Sequence, residues 1–222
     1  MAINKRYISV SGLPDRLRLF PLPGALLLPG MEIPLNIFEP RYLAMIDDAL
    51  ASDRLVGMIQ SIPESFGTPN EPALANVGCV GRITQIAETG DGRYTLVLSG
   101  IIRFRVLEEL AGGVPYRRCL ADFRGFEQDL VADLSGSDED RGALIVTFRH
   151  FARDTGLKLD WTAIEHLPTD ILVNSLALIA PLPPTEKQAL LEAPDIAARA
   201  RILIALAGLA AASGSRDSSK LH

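Results

Sequence analysis

The sequence is poor in cysteine, histidine and aromatic residues. Two cysteines, Cys79 and Cys119, stand in 222 residues, and neither belongs to a C-x-x-C pair. A disulfide scaffold and a cysteine-rich zinc site are therefore excluded. Both thiols are read as reduced residues in or near a core. The three histidines, His150, His166 and His222, show no H-x-x-x-H spacing. Aromatics make up 6% of the chain, so platforms on which bases could stack are scarce. Positive charge is short as well: 22 Lys and Arg stand against 27 Asp and Glu, a net charge of −5. A nucleic-acid binder instead shows a basic face. No apolar run is long. The longest, Ile202 to Ala212, covers 11 residues, against the roughly 20 that a bilayer requires. The start, Met1 to Arg6, is basic with no apolar stretch behind it, and is not read as a signal peptide. These absences lead us to expect a cytoplasmic chain that does not enter a membrane.

What is present is ordered along the chain. Six of the 15 prolines fall between Pro14 and Pro40, and ten of the 26 alanines between Ala189 and Ala212. Strand-like alternation dominates before residue 125, and helical patterning afterwards. That order marks an α+β protein rather than a βαβ nucleotide fold. A first strand begins at Leu17. It is expected to be short or at an edge, because Pro21 and Pro23 cannot donate to a ladder. A second runs from Ile33 to Phe38, and Pro40 opens a helix with Leu43, Ile46 and Leu50 on one face. Strands are expected over Leu55–Ser61, Val77–Glu88, Arg93–Leu98 and Tyr116–Phe123. Gly90-Asp91-Gly92 makes a hairpin turn. After Gly100, which reads as a bulge or barrel corner, Ile102, Phe104 and Val106 point one way and Arg103 and Arg105 the other. Arg103 is placed to pair with a carboxylate across a small, closed or half-closed barrel. Pro63 to Pro72 reads as a polar loop and Asp129 to Ser137 as an acidic linker. A helix capped by Ser137 carries Leu144, Phe148, Phe151 and Thr155 along one stripe and closes at Gly156. Further helices are expected over Thr169–Ile179, from a capping box at Thr185 to Glu192, and from Pro194 to about Ala212.

Catalytic constellations are hard to find. There is no G-x-x-x-x-G-K-[ST] phosphate loop and no G-x-S-x-G nucleophile elbow. A Ser-His-Asp triad needs His150 or His166, and both lie at polar helix ends. Asp138, Glu139 and Asp140 complement a helix dipole and do not form a metal site. Ser219-Lys220 lies in a polar tail with nothing to deprotonate the lysine. We therefore expect no catalytic residue, no cofactor and no metal, which moves weight from an enzyme towards a binding module.

Four stretches then carry a resemblance. Leu19-Phe20-Pro21-Leu22-Pro23 followed by Leu28-Pro29-Gly30-Met31-Glu32-Ile33-Pro34-Leu35 resembles the opening of the Lon protease N-terminal domain, with its P-G-M-x-I-P-L turn and strand. Val77-Gly78-Cys79-Val80-Gly81-Arg82-Ile83 resembles that family's V-G-x-x-A-R-I strand. Leu96 to Val106 resembles its V-x-G-x-x-R-x-x-I strand. Lys187-Gln188-Ala189-Leu190-Leu191-Glu192 through Asp195 and Arg199 resembles its K-Q-x-L-L-E-x-x-D-x-x-x-R helical segment. Asn36-Ile37-Phe38-Glu39-Pro40-Arg41-Tyr42 is similar to stand-alone bacterial versions, which carry no ATPase or protease domain.

The resemblance implies a PUA-like β pseudo-barrel over residues 1–126 with one early helix, a helical bundle over 127–212 and a flexible tail over 213–222. It implies a non-catalytic module that binds unfolded or extended polypeptide segments in protein quality control or as an adaptor, with a separate protease or chaperone as a further partner. Phe38, Arg41 and Tyr42 are the candidate partner-binding residues, since aromatics and arginine are favoured at binding hot spots. Two other readings stay open. A PUA-like nucleic-acid or nucleotide binder would need Arg82, Arg93, Arg103, Arg105, Arg117 and Arg118 to form one basic stripe. A hydrolase would need His150 or His166 beside a nucleophile in a pocket.

Overall fold

The structure, a computed structural model, describes residues 6–62, 72–131 and 139–218. The expected loop from Pro63 and the Ser137 cap lie outside these residues. The chain divides into two compact units, Met1–Ala132 and Asp133–His222.

Among its described residues the first unit holds eight strands and one α-helix. In chain order these are β1 (Arg16–Pro21), β2 (Glu32–Ile37), α1 (Pro40–Leu50), β3 (Leu55–Ile59), β4 (Ser61–Ile62), β5 (Ala73–Leu74), β6 (Val77–Glu88), β7 (Tyr94–Leu110) and β8 (Arg118–Asp122). Six strands form one sheet in the order β2-β7-β6-β3-β1-β8, and β7 also pairs with β8. That last pairing closes a ring and leaves β2 as a strand added to its side. β7 makes both contacts because it is 17 residues long. Its first part, Tyr94 to Ser99, pairs with β2, and its second, Arg105 to Leu110, pairs with β8.

The sequence suggests two strands flanking Gly100, and the structure has one bent strand. Gly81 of β6 faces Gly100 while Val80 faces Ile102, so the register slips at the bend. A Cβ on Gly100 would stand 2.1 Å from the Leu28 carbonyl oxygen. Only glycine allows that approach, and the approach is used. Gly30 N–H donates to Gly100 O at 3.0 Å, and Gly100 N–H donates to Met31 O at 2.8 Å.

β1 is short, which meets the expectation of a short or edge strand, and two other expectations need correction. β1 lies inside the sheet. It runs parallel to β3 and antiparallel to β8, and Pro21 is tolerated because it is the last residue of the strand. The buried face of α1 is Tyr42, Met45, Ile46 and Ala49, with Leu43 and Leu50 only half-buried. Tyr42 turns the helix inward by meeting Phe20 edge-to-face, ring centroids 4.6 Å apart. Arg103 does not share an open face with Arg105, since only 2% of it is exposed. The turn Glu127–Leu130 folds over it, and Asp129 accepts from its Nε and Nη2, both at 2.9 Å, and from its backbone N–H at 3.0 Å. Asp129 therefore belongs to the barrel and not to a linker. The pairing of Arg103 with a carboxylate is as the sequence suggests.

The second unit holds α2 (Glu139–Thr155), α3 (Trp161–Glu165), α4 (Thr169–Ile179), α5 (Pro184–Glu192) and α6 (Ile196–Ser218). α6 packs on α2, α4 and α5. Leu144, Phe148 and Phe151 are the buried stripe of α2, and Thr155 is exposed. The helix ends in a Schellman motif: Gly156 N–H donates to Arg153 O and Leu157 N–H to Ala152 O. α3 is a short helix that the sequence pattern did not reveal. Its cap is Asp160, which accepts from Ala163 N–H at 3.1 Å. Thr185 does not cap α5. That helix starts one residue earlier, with Pro184 in its first turn and no side-chain cap. α6 continues to Ser218, past the expected end near Ala212, and its cap is Asp195, whose carboxylate accepts from Ala198 N–H at 2.7 Å.

Candidate functional site

In the barrel unit, the C-terminal end of β1, the strand β2 and the first turn of α1 converge on a groove of about 420 Å³. Three short stretches account for most of its wall. Phe20 to Pro23 form one side, Pro34 to Phe38 the other, and Glu39, Arg41 and Tyr42 the end, with Ser61, Pro72 and Arg117 completing it. The local sequence explains this arrangement. Pro21 and Pro23 stop β1 from extending across the opening. Pro40 ends β2 and begins α1 with its fixed φ, so the helix rises from the groove's end.

The three candidate residues Phe38, Arg41 and Tyr42 are brought together here. Phe38 is 61% exposed, a costly position for a large apolar ring in water. Tyr42 is buried, and burial pushes its hydroxyl pKa up, with the Arg41 guanidinium opposing that shift. Arg41 lies over the Tyr42 ring, 4.6 Å from the centroid, and its Nε donates to Glu39 Oε2 at 2.9 Å. Arg117 is clamped by both carboxylate oxygens of Glu109, at 2.8 and 2.6 Å, and donates to the Pro72 carbonyl. Each cation at the groove therefore has an anion beside it. Pro21, Pro23, Asn36 and Arg117 were not among the site residues read from the sequence. The F-P-L-P run marked the strand end, and nothing local showed that it faces β2.

α1 is held in place from below. Tyr94 Oη donates to Asp47 Oδ1 at 2.8 Å and Tyr116 Oη to Asp48 Oδ2 at 2.6 Å. Arg18 donates to the Asp48 carbonyl, to Ser52 Oγ and to Asp53. These bonds join β1, β7 and the segment just before β8 to the helix whose first turn closes the groove.

The basic stripe required by the nucleic-acid reading does not form. Arg103 is inside the barrel, Arg117 is neutralised by Glu109, and Arg118 donates to the Gly112 carbonyl. His150 and His166 are both exposed in the helical unit, and His166 Nδ1 lies 2.7 Å from the Thr162 carbonyl oxygen. Among the described residues, no group of three or more His, Cys, Asp or Glu is arranged to hold a metal ion. Among the same residues, no helix is long and apolar enough to cross a membrane.

The fold is that of an α+β protein with a PUA-like β pseudo-barrel followed by a helical subdomain. Residues 16–207 match the ATP-dependent protease La (LON) substrate-binding domain, and the chain belongs to that family. It is 29% identical over 201 residues to Lon protease 2 of Sorangium cellulosum, covering 87% of this chain and 24% of that one. It is 28% identical over 212 residues to Lon protease 2 of Myxococcus xanthus, covering 90% and 24%. The chain thus spans 24% of the length of these two relatives. Among solved structures it is similar to a Lon N-terminal domain protein from Xanthomonas campestris, with a TM-score of 0.58 and 24% identity over 86% of this chain and 97% of that one. It is also similar to the N-terminal domain of the Mycobacterium avium complex Lon protease, with a TM-score of 0.60 and 18% identity over the same shares. These two likenesses show the fold.

Proposed function

We propose that this chain is a non-catalytic module that captures unfolded or extended polypeptide segments in the groove between β1 and β2, in the cytoplasm, as an adaptor or recognition factor in protein quality control. Phe38, Arg41 and Tyr42 make the contact, and a separate protease or chaperone takes the captured client. The observation that carries this reading is the exposed Phe38 ring at the rim of a proline-walled groove in a member of a substrate-binding family. Complete burial of a side chain of this kind is worth about 1.5–3 kcal/mol, and a partner covering Phe38 gains the part of it that its 61% exposure leaves open.

Reduced, carboxamidomethylated α-lactalbumin, a permanently unfolded chain, tests the reading against its native form. The unfolded form binds and the native form does not. Phe38→Ala lowers the affinity at least about tenfold, as expected of a hot-spot aromatic. Equal binding by the wild type and the Phe38→Ala and Arg41→Ala variants would remove the groove as the site.

A further inference from the structure

The groove's second wall is a strand edge, and its backbone is what a ligand would meet. Among the described residues β2 pairs with β7 alone. Four successive residues of β2, Pro34 to Ile37, line the groove. A strand's face would present only every second residue, and its edge presents all of them. The backbone parity can be assigned. Gly100 N–H donates to Met31 O, so Met31 addresses β7. Backbone polar groups alternate in direction along a strand. Ile33, Leu35 and Ile37 therefore address β7, and Pro34 and Asn36 address the open side. Pro34 falls in the outward set, where its missing N–H costs the sheet no bond.

The facing wall has no backbone N–H to offer the outward carbonyls of β2. Pro21 and Pro23 have no N–H, and the Leu22 N–H already donates to Ile59 O at 3.0 Å. The charges at the groove are matched within the protein: Arg41 with Glu39 at 2.8 Å and Arg117 with Glu109 at 2.6 Å. A charged ligand gains no partner there and loses hydration. A ligand that suits this wall is uncharged and offers donors and acceptors repeating at about 6.8 Å, twice the rise per residue of a strand. An extended polypeptide backbone has that repeat.

We propose that an uncharged, extended polypeptide segment adds to β2 as a further strand. It bonds to the Pro34 carbonyl and to the N–H and carbonyl of Asn36, and its side chains on one face meet Phe38 and the prolines opposite. This rests on the groove being the polypeptide site and specifies how the site reads its ligand. Main-chain bonds hold the segment whatever its sequence, and alternate side chains set preference. Pro34 keeps the bonded run short, which also guards a bare edge against pairing with other chains.

The test uses the full chain and a capped heptapeptide of alternating leucine and serine. Two derivatives are N-methylated on all leucine nitrogens or on all serine nitrogens. Titration calorimetry is expected to show one derivative losing binding at least about fivefold and the other unchanged, since one net hydrogen bond is worth about that factor. Asn36→Pro removes the outward N–H and weakens binding by a similar factor, with thermal unfolding confirming the fold. Asn36→Ala changes nothing, because only the backbone is used. Pro34→Ala adds an outward N–H and strengthens binding about fivefold, a gain that misfolding cannot mimic. All three variants are also read with the unfolded α-lactalbumin. If the two methylated peptides bind alike and Asn36→Pro and Pro34→Ala match the wild type, strand addition is wrong. The groove reading then survives if Phe38→Ala still weakens α-lactalbumin. If Phe38→Ala is also without effect, both fall.

Discussion

Among the described residues, each unit of this protein buries one arginine, and the two are handled differently. In the barrel, Arg103 is met by a carboxylate: Asp129 accepts from it through both oxygens, and the pair is almost fully enclosed, at 2% and 6% side-chain exposure. In the helical unit, Arg199 donates from Nε to the Leu190 carbonyl and from Nη1 to Asn174 Oδ1, both at 2.8 Å. The first arrangement ties a loop back onto a strand. The second ties α6 to α5 and α4 through neutral oxygens. A buried guanidinium thus serves as a joint in both units, with a carboxylate partner in the barrel and an amide oxygen and a backbone carbonyl among its partners in the helical unit. The barrel's joint should fail harder when its side-chain partner is removed, because Asp129 supplies three hydrogen bonds and a counter-charge where Asn174 supplies one bond.

The largest effect is expected where the barrel's backbones touch. Gly100→Ala places a methyl against the Leu28 carbonyl. It should destabilise by about 5 kcal/mol or more, since overpacking backbone has no rotamer to relax into. Denaturant midpoints would measure it. Asp129→Ala comes next, at about 3–5 kcal/mol for an unpaired buried charge. The double change Arg103→Met with Asp129→Leu should recover most of that loss, because neither charge then remains. Asn174→Ala in the helical unit should cost about 1.5–3 kcal/mol, the range for a bond to a charged donor. If it costs as much as Asp129→Ala, the contrast between the two joints is void.

Alkaline pH separates the units as well. Cys119 lies in the barrel core, fully buried, and burial pushes its thiol pKa up to about 12, with the nearby Glu109 carboxylate adding to the rise. The unfolded thiol ionises near pH 8.5. Stability from this group is complete below that value. It falls as pH climbs towards 12, by about 1.4 kcal/mol per pH unit, because the unfolded chain releases the proton that the folded chain keeps. Cys119→Ala should flatten that slope in pH-dependent denaturation, and wild-type Cys119 should resist thiol reagents until the protein unfolds. The smallest effects concern caps. Asp195→Ala should cost about 1 kcal/mol, whereas Thr185→Ala should change stability by less than about 0.5 kcal/mol, as for surface changes away from such features.

Some of this was legible in the residues. The 3.6-residue patterns of α2 and α4 and the Asp-Gly hairpin gave their elements, since local preference and global packing agree there. The motif from Lys187 to Arg199 has a structural explanation. Leu190 and Leu191 are core, Gln188 donates to Glu192, Asp195 caps α6 and Arg199 is the buried joint. Other features could not be read locally. α3 is a single turn, too short for periodicity to show. Thr185 had the pattern of a cap, and Pro184 started the helix first. The interior place of Arg103 depended on Asp129, 26 residues away. Of the groove, Phe38, Arg41 and Tyr42 were legible because they lie in one run. Pro21 and Pro23 across from them were visible only as a strand end.

The sequence by itself determined the order of strands before helices, the positions of most elements and, through four motifs, the family. Composition, periodicity and turn chemistry act over a few residues, and the sequence displays them directly. Only the tertiary structure decided that β7 closes the barrel and, among the described residues, leaves β2 with one side unpaired, and that Asn36 turns its backbone outward. It also decided that Phe38 stands exposed at the end of that edge. Strand pairing joins residues far apart in the chain, and which edge is left over follows from all the pairings at once.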